Sequence, residues 1–131
     1  MPEKIEQILL VDDDEDYRES TVMFLKASGF TVLEATNGNE ALAIIDSDNT
    51  KREISKVVTD FNMPGMNGVE LAIQIKQKRG DIYVVLMSAR ESDDPALLAA
   101  LQSAPDTAKP NTFIQKTSGS GPLLATELTR T

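Results

Sequence analysis

Short continuous apolar runs alternate along the chain with segments whose apolar residues recur at helical spacing. Residues 8–11, "ILLV", form the first run, and its short, continuously apolar character reads as a strand. In "EDYRESTVMFLKASG", Tyr17, Thr21, Phe24 and Leu25 share a helical face and Gly29 offers a stop. "FTVLEA" predicts a second strand, and "NGNEALAIIDS" a second helix with Ala41, Leu42 and Ile45 on one side. "ISKVVTD" predicts a third strand ending on Asp60, followed by the turn-rich "FNMPGMNG" and a third helix, "VELAIQIKQKRG". "IYVVLMS" is a fourth strand ending on Ser88. Asp93 or Asp94 can cap a fourth helix that has Pro95 at its first position and runs through "PALLAALQSA". "PDTAKPNT" reads as a loop, "FIQ" as a short fifth strand ending at Lys116, and "GPLLATELTR" as a last helix.

Strands that alternate with helices require crossover connections, and these build a parallel sheet with helices on both faces. The expected fold class is therefore α/β: a doubly wound five-stranded parallel sheet in the order 2-1-3-4-5. In that order the direction of winding reverses between strands 1 and 3, and ligands bind at their carboxyl ends. Those ends carry Asp12 and Asp13 on one side and Asp60 on the other, with Ser88 and Lys116 on the same edge.

Composition narrows the chemistry. At 131 residues, 40% hydrophobic and 26% charged, the chain is expected to form a single domain over residues 1–131. It has no Cys and no His, which excludes disulfides, the usual zinc sites, cysteine nucleophiles and any internal imidazole base or phosphoryl carrier. The formal net charge of −8 argues against direct nucleic-acid binding, because a phosphate backbone repels such a surface. The one basic cluster, Lys76, Lys78 and Arg79, precedes Gly80 and reads as cations complementing a helix C-terminus. No stretch is apolar enough for a membrane span or a signal peptide, so no membrane association and a cytoplasmic location are expected.

Carboxylates gathered in one cleft repel: unit charges about 4 Å apart interact by roughly 4 kcal/mol at an effective dielectric near 20. A divalent cation removes that conflict, and an all-oxygen site with room for water and phosphate suits Mg²⁺ best. Such a site also prepares a carboxylate to attack a phosphoryl group, with a lysine neutralising the equatorial oxygens and a hydroxyl donating to one of them. Asp60, Lys116 and Ser88 supply these parts. Asp14, Glu15 and Asp16 are assigned instead to the opening of the first helix, whose positive end they favour. An EF-hand is rejected, since Tyr17 and Met23 stand where glycine and glutamate are needed. No phosphate-binding lysine loop is present. A phosphohydrolase of the haloacid dehalogenase class falls behind because Asp16 or Tyr17 occupies the position where that class has Thr or Val.

The segments "ILLVDDD", "VVTDFNMPGMNGVEL", "VVLMSA" and "FIQK" resemble, in order, the four motifs of the receiver domain of bacterial two-component response regulators, the CheY-like family of flavodoxin-like fold. The similarity spans essentially the whole chain, and "TDFNMPGMNG" is its most specific part. The resemblance implies that Asp60 is the phosphoacceptor and that Asp13, Asp60 and the backbone carbonyl of Asn62 hold Mg²⁺ with Asp12 assisting. It implies that Ser88 follows the phosphoryl group, that Lys116 is the paired cation, and that Phe113 is an aromatic switch. Asn62 and Arg90 stand where family members differ in the rate of dephosphorylation. The implied partners are a sensor histidine kinase or histidine phosphotransfer protein and a downstream output domain or protein. The domain is expected to be a phosphoacceptor switch and not an enzyme; a receiver-like interaction module acting without phosphorylation is the alternative. Lys109-Pro110 offers the dipeptide usual after the fifth strand, yet Lys116 is chosen because "NTFIQK" has strand character and an aromatic at the proper offset. Thr117 then stands where the family usually has proline, and residues 102–112 form a longer segment than usual. The departures therefore fall around the fourth helix, fifth strand and fifth helix, the face through which receivers commonly signal.

Overall fold

The computed structural model describes residues 6–48, 51, 53–89, 91, 93–117 and 119–130; Arg90 lies outside them. Five strands, β1 (Gln7–Val11), β2 (Thr31–Ala35), β3 (Ile54–Asp60), β4 (Tyr83–Ser88) and β5 (Thr112–Gln115), alternate with five helices. These are α1 (Glu15–Ala27), α2 (Gly38–Ser47), α3 (Gly68–Lys78), α4 (Pro95–Ser103) and α5 (Ser120–Arg130). All strand pairs are parallel and the order is β2-β1-β3-β4-β5, the doubly wound arrangement expected from the alternation.

The unbroken apolar runs are explained by burial on both sides. Leu9, Val11, Val57 and Val84 pack with Ala41, Leu42 and Ile45 of α2 and Leu71, Ala72 and Ile75 of α3. Their strand neighbours Ile8, Leu10, Val58 and Val85 pack with Val22 and Leu25 of α1 and Leu124 and Leu128 of α5. Successive side chains leave opposite faces of a strand, so a single run feeds two cores. A third cluster, Phe61, Val69, Leu86, Leu97 and Ala104, seats α4 beside α3.

Helix starts follow local chemistry. Asp14 caps α1 by accepting from the Tyr17 N–H, and Glu15 and Asp16 occupy its first turn, where acids favour the positive end of the dipole. Asn67 and Glu70 form a reciprocal capping box on α3, and Asp94 caps α4 ahead of Pro95. At the end of α1 the chain reverses through Gly29, whose φ of 97° suits a residue without a Cβ.

Three local outcomes differ from the sequence expectation. The buried face of α1 is Thr21, Val22 and Leu25, whereas Phe24 is 37% exposed. Its ring lies at the α1–α5 edge, against Gly121. Residues 105–112 are not a plain loop but contain a 3₁₀ turn, Asp106–Ala108, with Ala108 and the preceding Ala104 buried. Asn111 ties this segment to β4 by accepting from the Val84 N–H at 2.8 Å while its own N–H donates to the Val84 carbonyl at 2.8 Å. Arg79, expected only to complement a helix C-terminus, is the C-cap of α3 and is also 3% exposed. Its guanidinium donates to Asp48 at 3.0 Å, to the Ile54 carbonyl at 3.0 Å and to Asp81 at 3.2 Å. Lys76 is likewise consumed locally, donating to the Ile82 carbonyl and the Asn111 side chain.

Candidate functional site

The register of the sheet brings the strand-end residues together. Val11 pairs with Thr59, so the next residue on each strand, Asp12 and Asp60, emerges at the same height. Asp60 pairs in turn with Met87 and Ser88 with Gln115, which places Ser88 and Lys116 one step further along the same carboxyl edge. The ladder continues past the strand ends: the Phe61 N–H donates to the Met87 carbonyl at 2.7 Å and the Lys116 N–H to the Ser88 carbonyl at 2.7 Å. Backbone bonding therefore fixes where each side chain starts.

One carboxylate oxygen from each of Asp12, Asp13 and Asp60 lies within 4.8 Å of the others. Asp12 and Asp60 are buried and Asp13 is exposed, so the cluster opens to solvent on the Asp13 side. Lys116 faces the two buried acids, its Nζ lying 2.8 Å from Asp12 Oδ2 and 3.6 Å from Asp60 Oδ2. The first contact is a charge-assisted hydrogen bond; the second is a looser ion pair. Lys109 pairs instead with the exposed Asp106 at 3.2 Å. The other oxygen of Asp12 accepts the Asp14 N–H at 2.9 Å, which orients the carboxylate.

Electrostatics single out Asp60. Burial pushes its carboxyl up, the repulsion of Asp12 and Asp13 adds to this, and the Lys116 ammonium only partly opposes it, so it titrates at about 6 against an ordinary 3.8. Lys116 moves the other way from its burial: desolvation lowers it, but the hydrogen bond to Asp12 and the charges of Asp60 and Asp12 raise it further, leaving a firmly charged ammonium. Three oxygen donors with excess negative charge, and no softer ligand beside them, match a hard divalent cation.

Ser88 is fully buried at the end of β4. Asn62 is exposed two residues beyond Asp60, ahead of the turn at Pro64 and Gly65. Phe113 sits among apolar side chains. It is half-buried on β5, paired with Leu86 in register, and packs into the cluster that holds Leu97, Ala100 and Leu101 of α4.

Three contributors were not read from the sequence as site residues. Tyr17 places its ring 4.1 Å from the Lys116 ammonium. Its hydroxyl lies 2.7 Å from Ser120 Oγ at the start of α5. Arg18 donates to the Asp12 carbonyl at 2.8 Å and to Glu34 at 3.2 Å. A cation in the first turn of a helix is electrostatically misplaced, and that misplacement was the available sign of an outside partner. Gly68 lets α3 press onto the site: a Cβ there would sit 2.3 Å from the Asp60 carbonyl oxygen and 2.7 Å from Leu86.

Fold and site together define a doubly wound α/β domain whose sheet edge holds an acidic, cation-competent cluster against a half-buried ammonium. The chain belongs to the response regulator receiver domain family, whose pattern matches residues 8–125. It is 35% identical over 107 residues to the response regulator MprA of Mycolicibacterium vanbaalenii, covering 82% of this chain and 44% of that protein. It is also 34% identical over 87 residues to a cyclic di-GMP phosphodiesterase of Thermotoga maritima, covering 66% of this chain and 22% of that protein. The chain thus spans less than half the length of these relatives. Among solved structures it resembles the response regulator TrrA of Thermotoga maritima in complex with Mg²⁺-BeF, with 28% identity, a TM-score of 0.75 and coverage of 95% and 98%. No helix among the described residues is long and apolar enough to cross a membrane.

Proposed function

We propose that this receiver domain, residues 1–131 acting as one unit, accepts a phosphoryl group on Asp60 from a phosphohistidine of a sensor kinase or phosphotransfer protein. The observation that carries the reading is the convergence of the Asp60 carboxylate with Asp12, Asp13 and the Lys116 ammonium in one cleft. Asp12, Asp13, Asp60 and the backbone carbonyl of Asn62 would hold Mg²⁺, which when bound supplies positive charge to the acids and the incoming phosphoryl oxygens. The Mg²⁺-BeF ligand of TrrA supports that choice of ion.

In the transfer, an Asp60 oxygen forms a bond to phosphorus as the P–N bond of the donor breaks. The electron pair of that bond leaves on the imidazole nitrogen, which takes up a proton. Lys116 holds charge on the transferring group, and Ser88 donates its hydroxyl to a phosphoryl oxygen. Phe113, packed half-buried against α4, couples the occupied site to the α4–β5–α5 face, biasing a two-state equilibrium read by an output domain or protein. The domain acts as an acceptor switch in the cytoplasm, does not bind nucleic acid directly, and is not a turnover enzyme. The phosphodiesterase name belongs to a relative of which this chain spans only 22%. The complete acidic set disfavours a module that works without phosphorylation.

Incubation with Mg²⁺ and acetyl phosphate should add one phosphoryl group by intact mass, lost in Asp60→Ala and in EDTA. Equal incorporation in Asp60→Ala would remove Asp60 from the role.

A further inference from the structure

A lysine at the end of a flexible stem has many rotamers, and only a few place its ammonium where charge develops. In this chain Lys116 is bounded by more than its two acids. Its ammonium lies 4.1 Å from the centroid of the Tyr17 ring, within the range of a cation–π interaction. The far end of that ring is pinned. Ser120 Oγ donates to the Thr117 carbonyl at 2.8 Å, so the Tyr17 hydroxyl, 2.7 Å from Ser120 Oγ, is the donor between them. The Thr117 N–H also points to Ser120 Oγ, at 3.4 Å. Contacts thus run in a closed circuit from the Lys116 ammonium to the Tyr17 ring, through its hydroxyl to Ser120 and Thr117, and back along the chain to Lys116.

We infer that Tyr17 is a positioning residue for phosphoryl transfer: its ring face holds the Lys116 ammonium against Asp12 and Asp60, and its hydroxyl ties that placement to the start of α5. The inference rests on the assignment of Lys116 and Asp60 to the transfer. The alternative, that Tyr17 merely packs α1 on α5, makes a different prediction about its dependence on Lys116. A packing role weakens the fold whatever occupies position 116. A positioning role has no effect on the rate once the ammonium is gone.

The test measures the rate of phosphorylation by acetyl phosphate with Mg²⁺ in Tyr17→Phe, Tyr17→Leu, Lys116→Gln and the Tyr17→Leu/Lys116→Gln double variant, with thermal unfolding recorded for each. Tyr17→Leu should slow the reaction by about 3- to 30-fold, the range of a partly desolvated cation–π contact. Tyr17→Phe keeps the ring and should recover most of the rate. Lys116→Gln should be slow, and adding Tyr17→Leu to it should change the rate by less than about 2-fold, the mark of two residues acting through one interaction. A wild-type rate in Tyr17→Leu, or an equal slowing by Tyr17→Leu with and without Lys116, would overturn the inference while leaving the Asp60 assignment standing. A wild-type rate in Lys116→Gln would overturn both the inference and the role of Lys116.

Discussion

Replacing Asp60 by Asn should make the metal-free domain more stable at neutral pH, although it removes the group on which the proposed function depends. The Asp60 carboxyl titrates at about 6 in the fold because burial and the neighbouring Asp12 and Asp13 outweigh the attraction of Lys116, against 3.8 when unperturbed. Between those two values the folded chain holds a proton that the unfolded chain has released. Stability therefore falls as pH rises from about 4 to about 6 and is flat above that window. A tenfold difference in acidity between the folded and unfolded chain is worth about 1.4 kcal/mol, so an ionised Asp60 costs the fold about 3 kcal/mol at pH 7.5 and about 1 kcal/mol at pH 4.5. Asn cannot ionise and escapes this cost. Urea unfolding followed by far-ultraviolet circular dichroism in EDTA should show Asp60→Asn ahead by about 1–3 kcal/mol at pH 7.5, after allowance for a weaker contact with Lys116. That lead should shrink by about 2 kcal/mol at pH 4.5. Excess Mg²⁺ at pH 7.5 should stabilise the wild type more than the variant, because the ion relieves the same repulsion. A variant no more stable than wild type at pH 7.5, or a difference independent of pH, would refute the claim that the site stores electrostatic strain.

Two further predictions concern the scaffold. Arg79→Met should cost about 3–5 kcal/mol, because it strands the buried Asp48 carboxylate that the guanidinium pairs at 3.0 Å. Burial pushes Asp48 up, but the Ile54 and Glu53 N–H groups and Arg79 more than cancel this and hold it below 3.8. Its contribution is then complete above that value and is lost only as pH falls below it, so the deficit in urea unfolding should persist across neutral pH. Gly68→Ala should lower stability by about 2 kcal/mol and slow phosphorylation by acetyl phosphate, since the added carbon meets the Asp60 carbonyl and forces α3 away from the site. A thermal midpoint and phosphorylation rate equal to wild type would show that the loop relaxes without disturbing Asp60.

The site was legible to different degrees for physical reasons. Asp12, Asp13 and Asp60 stand at the ends of apolar runs, and the winding order of the sheet then brings such ends to one edge. Ser88 was readable in the same way, as the last residue of "YVVLMS". The choice between Lys109 and Lys116 turned on strand character around Phe113. The structure places Lys116 on the acids and pairs Lys109 with Asp106. Tyr17 was assigned only to the buried face of a helix, because nothing in the spacing of α1 indicates that a lysine far along the chain will arrive over its ring. Phe24 was placed on that same face, yet its direction carries it to the edge of α5.

The amino-acid sequence by itself determined the alternation of strands and helices, their caps, and the acids that would end the first and third strands. Those features depend on a residue and its near neighbours, where periodicity and hydrogen bonding act directly. Tertiary structure alone decided that Arg79 would be buried between Asp48 and Asp81, that Tyr17 would meet Lys116, and that the Asp60 carboxyl would be pushed up to about 6. These outcomes depend on distance and dielectric between groups remote in the chain, and neither quantity exists until the sheet has assembled.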